Sequence, residues 1–415
     1  MSAEDPRGRS GSPDARVVVT GIGWVTSLGR GREEVWQALL AGTNGLRPVQ
    51  SFDAAKYPSQ LGGEIPTSVV DIAVTADSAG RASQLAELAA RDALTDAGID
   101  PGAIAPGRFG AAMGTTSGEP REIERFNDLL TAGHPGEIGA EFLRRYPCHT
   151  LATTVMASLG LRGPNAMIPT ACAAGNYAVA FAFDQLRAGR ADAMLAGGAD
   201  AFSRITYTGF ARLGAIAPEI CQPFDKQRRG MVPGEGSAVL VLETLARAAE
   251  RGARIYAEVA GYGLSCDAHH MTAAHPQGEG AARAMTAALE SSGLQPEDVS
   301  YVSAHGTGTP TNDKLETLAV RQVFGERAGR VPLSSIKSML GHTMGAASAI
   351  EAAVCALAIR DGKVPPTINY TTPDPECDLD VVPNTARALA VEVAMNNAYA
   401  FGGNNASVIF RRVAA

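Results

Sequence analysis

The feature that most constrains this fold is a repetition inside the chain. A β-branched run closing on glycine, RVVVTGIG at 16–23, returns as RIYAEVAG at 254–261. A strand opening on small residues, RFGAAMGTT at 108–116, returns as VSYVSAHGTG at 299–308. A small-residue helix entered from a turn, over 173–186, returns within 338–360, and strand-like stretches at 191–201 and 365–369 follow the two copies. The period is far longer than a solenoid repeat, and strands alternate with helices, so the pattern predicts one fused α/β layered fold. Its expected parts are a flexible polar tail over 1–15 and two related halves over 16–252 and 253–412.

The 415 residues can bury a large core. Thirty-six basic against 43 acidic side chains leave a net charge of −7, which argues against nonspecific nucleic-acid binding. Six cysteines without a CxxC pair suggest neither a zinc site nor a disulfide framework, and they fit a reducing cytoplasm. No apolar run is long enough to span a membrane, and residues 1–15 lack the apolar core of a signal peptide. Gly21 and Gly23 invite a dinucleotide reading, but the third glycine of that fingerprint would fall on Thr26, so it fails. Arg121, Arg125, Arg144 and Arg145, amid acidic neighbours, read as a solvated amphipathic surface.

Cys172 lies in IPTACAAGNY, residues 168–177. Pro169 and Thr170 precede a helix over 173–186 that Gly189 can close, which places Cys172 in the first turn. Unpaired N–H groups and the positive end of the helix dipole there favour a thiolate. Taken alone, a cysteine among alanines is also a good small buried hydrophobe. His305 follows a buried strand, where α/β sheets commonly form ligand sites. His342 sits before its own helix, whose N-terminal field keeps the imidazole neutral and able to donate a hydrogen bond to an oxygen gaining charge. Lys337 adds positive potential. Each of these fits a structural role alone; together they fit thiol chemistry with enolate or oxyanion stabilisation. A cysteine protease would need an Asn or Asp orienting one base, and explains neither the second histidine nor the duplication.

TACAAG (170–175), HGTGTPTNDKLE (305–316), KSMLGHTMGAA (337–347) and FGGNN (401–405) resemble, in that order, the β-ketoacyl-[acyl-carrier-protein] synthases. The resemblance is closest to the elongating, Cys-His-His type of the thiolase superfamily and covers about residues 16–412. It implies a thiolase-like duplicated αβαβα fold, a cytoplasmic enzyme with neither metal nor bound cofactor, and substrates on the phosphopantetheine arm of an acyl-carrier protein. It implies that Cys172 accepts the acyl chain and that His305 and His342 hydrogen-bond the malonyl thioester oxygen. The N–H groups of Cys172 and Phe401 would form the oxyanion hole, and Phe401 would gate the cysteine on Gly402 and Gly403. Glu316 and Lys337 would support the histidines, Asp267 and His270 would belong to a mobile loop beside the site, and Thr116, Ser117 and Phe224 to the acyl pocket.

Two departures from the family pattern bear on the pathway. Residues 76–97 offer only Arg81 and Arg91 for carrier-protein docking, and AAGNY follows the cysteine where ATG-x-H is common. They point to a specialised substrate and to the catalytic subunit of a type II polyketide synthase, with polyene formation as the expected variant, as a homodimer or paired with a chain-length factor. Housekeeping fatty-acid elongation and a non-catalytic scaffold subunit are the alternatives.

Overall fold

A computed structural model of the chain describes residues 15–75 and 77–413, so the tail expected over 1–15 lies, except for Ala15, outside the described residues. Its first half supplies strands Val17–Thr26 (β1), Phe109–Gly114 (β2), Asn165–Ile168 (β3), Ala193–Asp200 (β4) and Gly236–Thr244 (β5). The second supplies Ala257–Cys266 (β6), Tyr301–Ser303 (β7), Leu333–Ser334 (β8), Val393–Tyr399 (β9) and Asn404–Arg411 (β10). Outward from the centre the order is β1-β5-β4-β2-β3 on one side and β6-β10-β9-β7-β8 on the other. The first two pairings of each set are antiparallel and the last two parallel. Antiparallel pairing of Val17–Val19 with Val259–Ala257 joins the sets into one sheet.

Six helices follow the same duplication: Arg81–Ala97 (α1), Thr150–Ser158 (α2), Ala174–Arg187 (α3), Glu279–Ser292 (α4), Pro310–Phe324 (α5) and Ala347–Asp361 (α6). α1 covers β1 and β5, α4 covers β6 and β10, and α3 and α6 pack on each other between the two halves of the sheet. The layering is thus αβαβα. α6 is apolar around its circumference and buried from Ala347 to Ile359, as a central-layer helix must be.

The glycines that failed as a dinucleotide fingerprint have a packing role. A side chain at Gly23 would collide with the Ala89 carbonyl of α1, and one at Gly263 with the Ala284 carbonyl of α4. The register slips next to Gly21 in the first half and opposite Gly261 in the second. Each copy thereby bends its long strand at a bulge and seats a helix directly on bare backbone.

Several expected boundaries move. The strand expected over 254–261 begins at Ala257, and that over 299–308 is only Tyr301–Ser303, because the chain then leaves the sheet as a loop. The helix expected over 338–360 is broken: Lys337–Leu340 is a single turn, Gly341 leaves the helical region at φ 74°, and the continuous helix starts at Ala347. Residues 365–369 are not a strand; Pro365 and Pro366 have no N–H to give a ladder, and the strand answering β4 is β9. Between 119 and 150 the chain forms helices Pro120–Thr131 and Ala140–Arg145. Arg145 there is buried, donating to the carbonyls of Ser78 and Thr75 and pairing with Glu122. Arg121 donates to the Phe202 carbonyl at 2.8 Å. The surface reading therefore fails for Arg145, holds for exposed Arg125 and Arg144, and holds only in part for half-buried Arg121.

Gly23→Ala or Gly263→Ala should lower stability by about 1–3 kcal/mol, because overpacked backbone has no side chain to yield. Urea denaturation of each variant checks this, and an unchanged midpoint would refute the helix-seat role.

Candidate active site

β3 ends at Ile168, and the chain turns through a 3₁₀ segment, Ala171–Ala173, into α3. Ala171 has φ 51°, a left-handed conformation that costs an alanine energy and aims the next residue off the helix. The second half repeats the device before α6, with Met344 at φ 54° in the 3₁₀ segment Met344–Ala346. Cys172 is thus the counterpart of Gly345. No side chain fits at Gly345, whose Cβ would come within 2.5 Å of Thr115 and Thr116 backbone atoms.

Cys172 Sγ and one ring nitrogen each of His305 and His342 lie within 4.8 Å of one another. All three residues are buried, and the imidazole centres are 5.5 Å apart at 82°. The histidines come from the loop after β7 and the turn before α6, so both halves of the fold build one site. Burial depresses both histidines well below their ordinary range, helped by the Lys337 charge, and for His305 also by His342. They are neutral near pH 7. The Met344 N–H donates to His342 Nδ1 at 3.1 Å, so that nitrogen is unprotonated and Nε2 carries the proton. His342 is therefore set as a hydrogen-bond donor.

The expectation of a stabilised thiolate needs correcting. Burial pushes the Cys172 thiol up to about 12, against the pull of Lys337, so the resting sulfur is protonated. Cys172 also precedes α3, which begins at Ala174.

Lys337 touches neither the thiol nor an imidazole nitrogen. Its Nζ donates to the His305 carbonyl at 2.6 Å and forms a buried ion pair with Glu351 of α6. Glu316 grips the same loop from the other side, accepting from the N–H groups of His305 at 2.8 Å and Gly306 at 2.7 Å. Burial raises both carboxyls to about 7. Lys337 and Glu316 therefore position His305 through its backbone. Phe224, buried with φ 65°, lies beneath this loop against Gly306 and is not in the cavity wall.

A cavity of about 340 Å³ leads to the trio, walled by Tyr399, Phe401, Phe210 and Asp267 among others. Phe401 is 39% exposed and packs on Phe210 of helix Arg204–Arg212, centroids 5.6 Å apart. Gly402 and Gly403 have φ 81° and 76°, values that favour glycine. Asp267 donates its N–H to the Gly403 carbonyl, while the Gly402 N–H donates to the Met271 carbonyl. The 267–275 loop is thus bonded to the Phe401 turn. His270 is exposed, with Nδ1 accepting from the Thr272 N–H, and stays out of the cavity wall. Thr116 and Ser117 also lie outside it; their N–H groups donate to Asp200 at 2.7 and 3.0 Å.

Sequence reasoning missed Asp200, Glu351 and Tyr399. Asp200 is buried at the end of β4, raised by burial to about 6, and binds the Thr115 hydroxyl and the Gly345 N–H. It ties the 115–117 loop to the counterpart of the nucleophile turn. Glu351 was visible as the one acid in ASAIEAAVCALAI; a lone charge on an apolar helix needs a buried partner. Tyr399 packs on His305 at 5.7 Å, with its hydroxyl buried and without a hydrogen-bond partner.

Lys337→Met should destabilise the protein by about 3–5 kcal/mol, because it leaves Glu351 buried without its cation, and adding Glu351→Met should restore much of the loss. Thermal unfolding of the single and double variants decides. No rescue would mean that Lys337 acts otherwise than through Glu351.

The family models for the β-ketoacyl synthase N-terminal and C-terminal domains match residues 14–248 and 256–371. The chain is 41% identical over 408 residues to 3-oxoacyl-[acyl-carrier-protein] synthase 2 of Synechocystis sp., covering 96% of this chain and 98% of that one. It is 43% identical over 406 residues to nodulation protein E of Rhizobium sp. (strain N33), covering 96% and 100%. Among solved structures, the ishigamide ketosynthase/chain length factor superposes with TM-score 0.91 at 43% identity, covering 96% of this chain and 100% of that one. A β-ketoacyl synthase from Burkholderia phymatum gives 0.89 at 38%, with the same coverage. A duplicated thiolase-type fold with a buried cysteine between two neutral histidines accords with these likenesses, and the chain belongs to the β-ketoacyl synthases, acyl-transferring ketosynthase enzymes.

Proposed function

We propose that the chain carries out decarboxylative condensation of malonyl-carrier protein with an acyl group held on Cys172. The observation that carries this reading is the convergence of the Cys172 thiol with two neutral imidazoles, one locked as an Nε2–H donor. In the first step the thiol attacks the acyl thioester, and its proton leaves with the displaced pantetheine thiol. A protonated resting sulfur suits this exchange, which needs no net proton. His342 and His305 then hydrogen-bond the thioester oxygen of the malonyl group while carbon dioxide departs, stabilising the enolate. The enolate carbon attacks the acyl carbonyl, the C–S bond breaks, and the expelled Cys172 sulfur takes up a proton from solvent, the one proton that the decarboxylative condensation consumes. The N–H groups of Cys172 and Phe401 are assigned to the tetrahedral oxyanion, where one donor is worth about 3 kcal/mol.

Phe401 covers the cysteine, and the cavity beside it takes the phosphopantetheine arm of an acyl-carrier protein. One similar solved structure is described as a type II PKS acyl-carrier protein in complex with its ketosynthase bound to the hexaketide, at 35% identity and TM-score 0.90. The chain acts as a dimer. β3 is a sheet edge with Asn165 exposed and Ala166, Met167 and Ile168 half-buried, a surface suited to pairing with another strand. We assign the pathway to type II polyketide synthesis with a chain-length-factor partner, on the likeness to the ishigamide ketosynthase/chain length factor. Fatty-acid elongation is the second reading, favoured by the 41% identity to 3-oxoacyl-[acyl-carrier-protein] synthase 2.

Cys172→Ala should abolish condensation, while Cys172→Gln should still decarboxylate malonyl-carrier protein; condensation surviving either change would overturn the mechanism. Both histidines titrate below 6.5 and act in their neutral forms, so decarboxylation by Cys172→Gln is present above that pH and declines only as pH falls further. A histidine inflection above pH 6.5 would contradict the site. For the pathway, gel filtration with and without a paralogue encoded beside this chain should show a heterodimer as the active species. A fully active homodimer would favour fatty-acid elongation.

A further inference from the structure

The 267–275 loop carries three histidines that the condensation does not use, and two of them face each other. The ring centres of His269 and His275 lie 5.3 Å apart, with planes at 75°. Two imidazoles sharing one tetrahedral ion, with metal–nitrogen distances of ~2.0 Å, hold their centres roughly 5 Å apart. His275 Nδ1 is buried and has no hydrogen-bond partner, while His269 is exposed and reachable from solvent. His270 differs, since its Nδ1 already accepts from Thr272. Asp267, at the base of the loop, accepts from the His275 backbone N–H at 3.0 Å and so holds that end of the loop.

We propose that His269 and His275 form a site for a divalent transition-metal ion of the zinc class, and that its occupancy staples the loop and restrains the Phe401 gate. Imidazole is a good ligand for zinc, copper and nickel, and water completes the coordination. Binding uses lone pairs of neutral imidazoles and breaks no covalent bond. The restraint passes through short contacts: Met271, between the two histidines, accepts from the Gly402 N–H at 2.8 Å. Asp267 donates to the Gly403 carbonyl at 2.9 Å and accepts from Asn405 at 2.7 Å. Fixing both ends of the 269–275 segment therefore fixes the Met271 carbonyl that accepts from the gate turn.

The catalytic trio is the competing site, because its three atoms also lie within 4.8 Å of one another. It is built against a metal. The Met344 N–H occupies His342 Nδ1, so the proton sits on the other nitrogen, whereas a metal-bound histidine normally donates its free N–H outward. The gating half of the proposal rests on the ketosynthase reading; the binding half does not.

Isothermal titration of the full-length protein with zinc chloride, in a thiol-free reductant, tests both halves beside a condensation assay. One zinc per chain should bind, equally in Cys172→Ser, and His269→Ala or His275→Ala should weaken binding at least about tenfold. Condensation should fall with zinc, recover with chelator, and resist zinc in His269→Ala, which is as active as the parent without metal. Binding that survives both histidine changes, or that is lost in Cys172→Ser, overturns the site. Binding in the expected pattern with condensation unaffected by zinc overturns the gating. Binding in that pattern by a chain that never condenses refutes the ketosynthase reading and leaves the metal site supported.

Discussion

Everything at the active site depends on how closely α3 and α6 meet. Gly175 of α3 lies against Ala349 of α6 with no room for a side chain between them. The Asn176 N–H donates to the Ser348 hydroxyl, and the Asn176 amide exchanges hydrogen bonds with Asn396 of β9, which also donates to the Ser348 carbonyl. These are buried polar contacts in a mostly apolar layer, so they fix register where apolar packing would tolerate sliding. Because Cys172 leads into α3 and His342 stands just before α6, the distance between nucleophile and imidazole is set by this joint.

The two halves use one backbone device for different chemistry. In the first, the left-handed residue presents a thiol; in the second, it presents an N–H group to His342 and leaves Gly345 to be clamped by Asp200. A shared conformational cost thus yields a nucleophile in one copy and a fixed tautomer in the other. The buried carboxyls are similarly divided. Glu316 and Glu351 both act on the His305 loop, one through N–H groups and one through the Lys337 ammonium.

Much of this was legible in the sequence. The repeat predicted the duplicated layering, and the ordered motifs placed Cys172, His305, His342 and Lys337 where the structure brings them together or, for Lys337, one contact away. What was hidden depends on long-range contact. Nothing near Asp200 announces that it will bind loops 85 and 145 positions away. The break before Ala347 was signalled only by the two glycines of GHTMG, 341–345, inside a run rich in helix formers, and positive φ at Gly341 and Met344 makes it. Within the AAGNY departure, Asn176 is fully buried away from the cavity and serves the joint between halves, a role that only long-range contact reveals. The thiol misled for a physical reason: a sequence displays the helix that favours charge, and desolvation appears only once the layers close over it.

The protonated resting state of Cys172 has a consequence for how the protein survives oxidants. Peroxide attacks thiolates, and a sulfur whose pKa is pushed up to about 12 exposes almost none at neutral pH. The buried thiol therefore offers peroxide little to attack while it rests protonated. A reagent that modifies it quickly must bring its electrophile into the cavity that Phe401 and Tyr399 wall, and must leave the thiol proton somewhere to go as the new bond to sulfur forms.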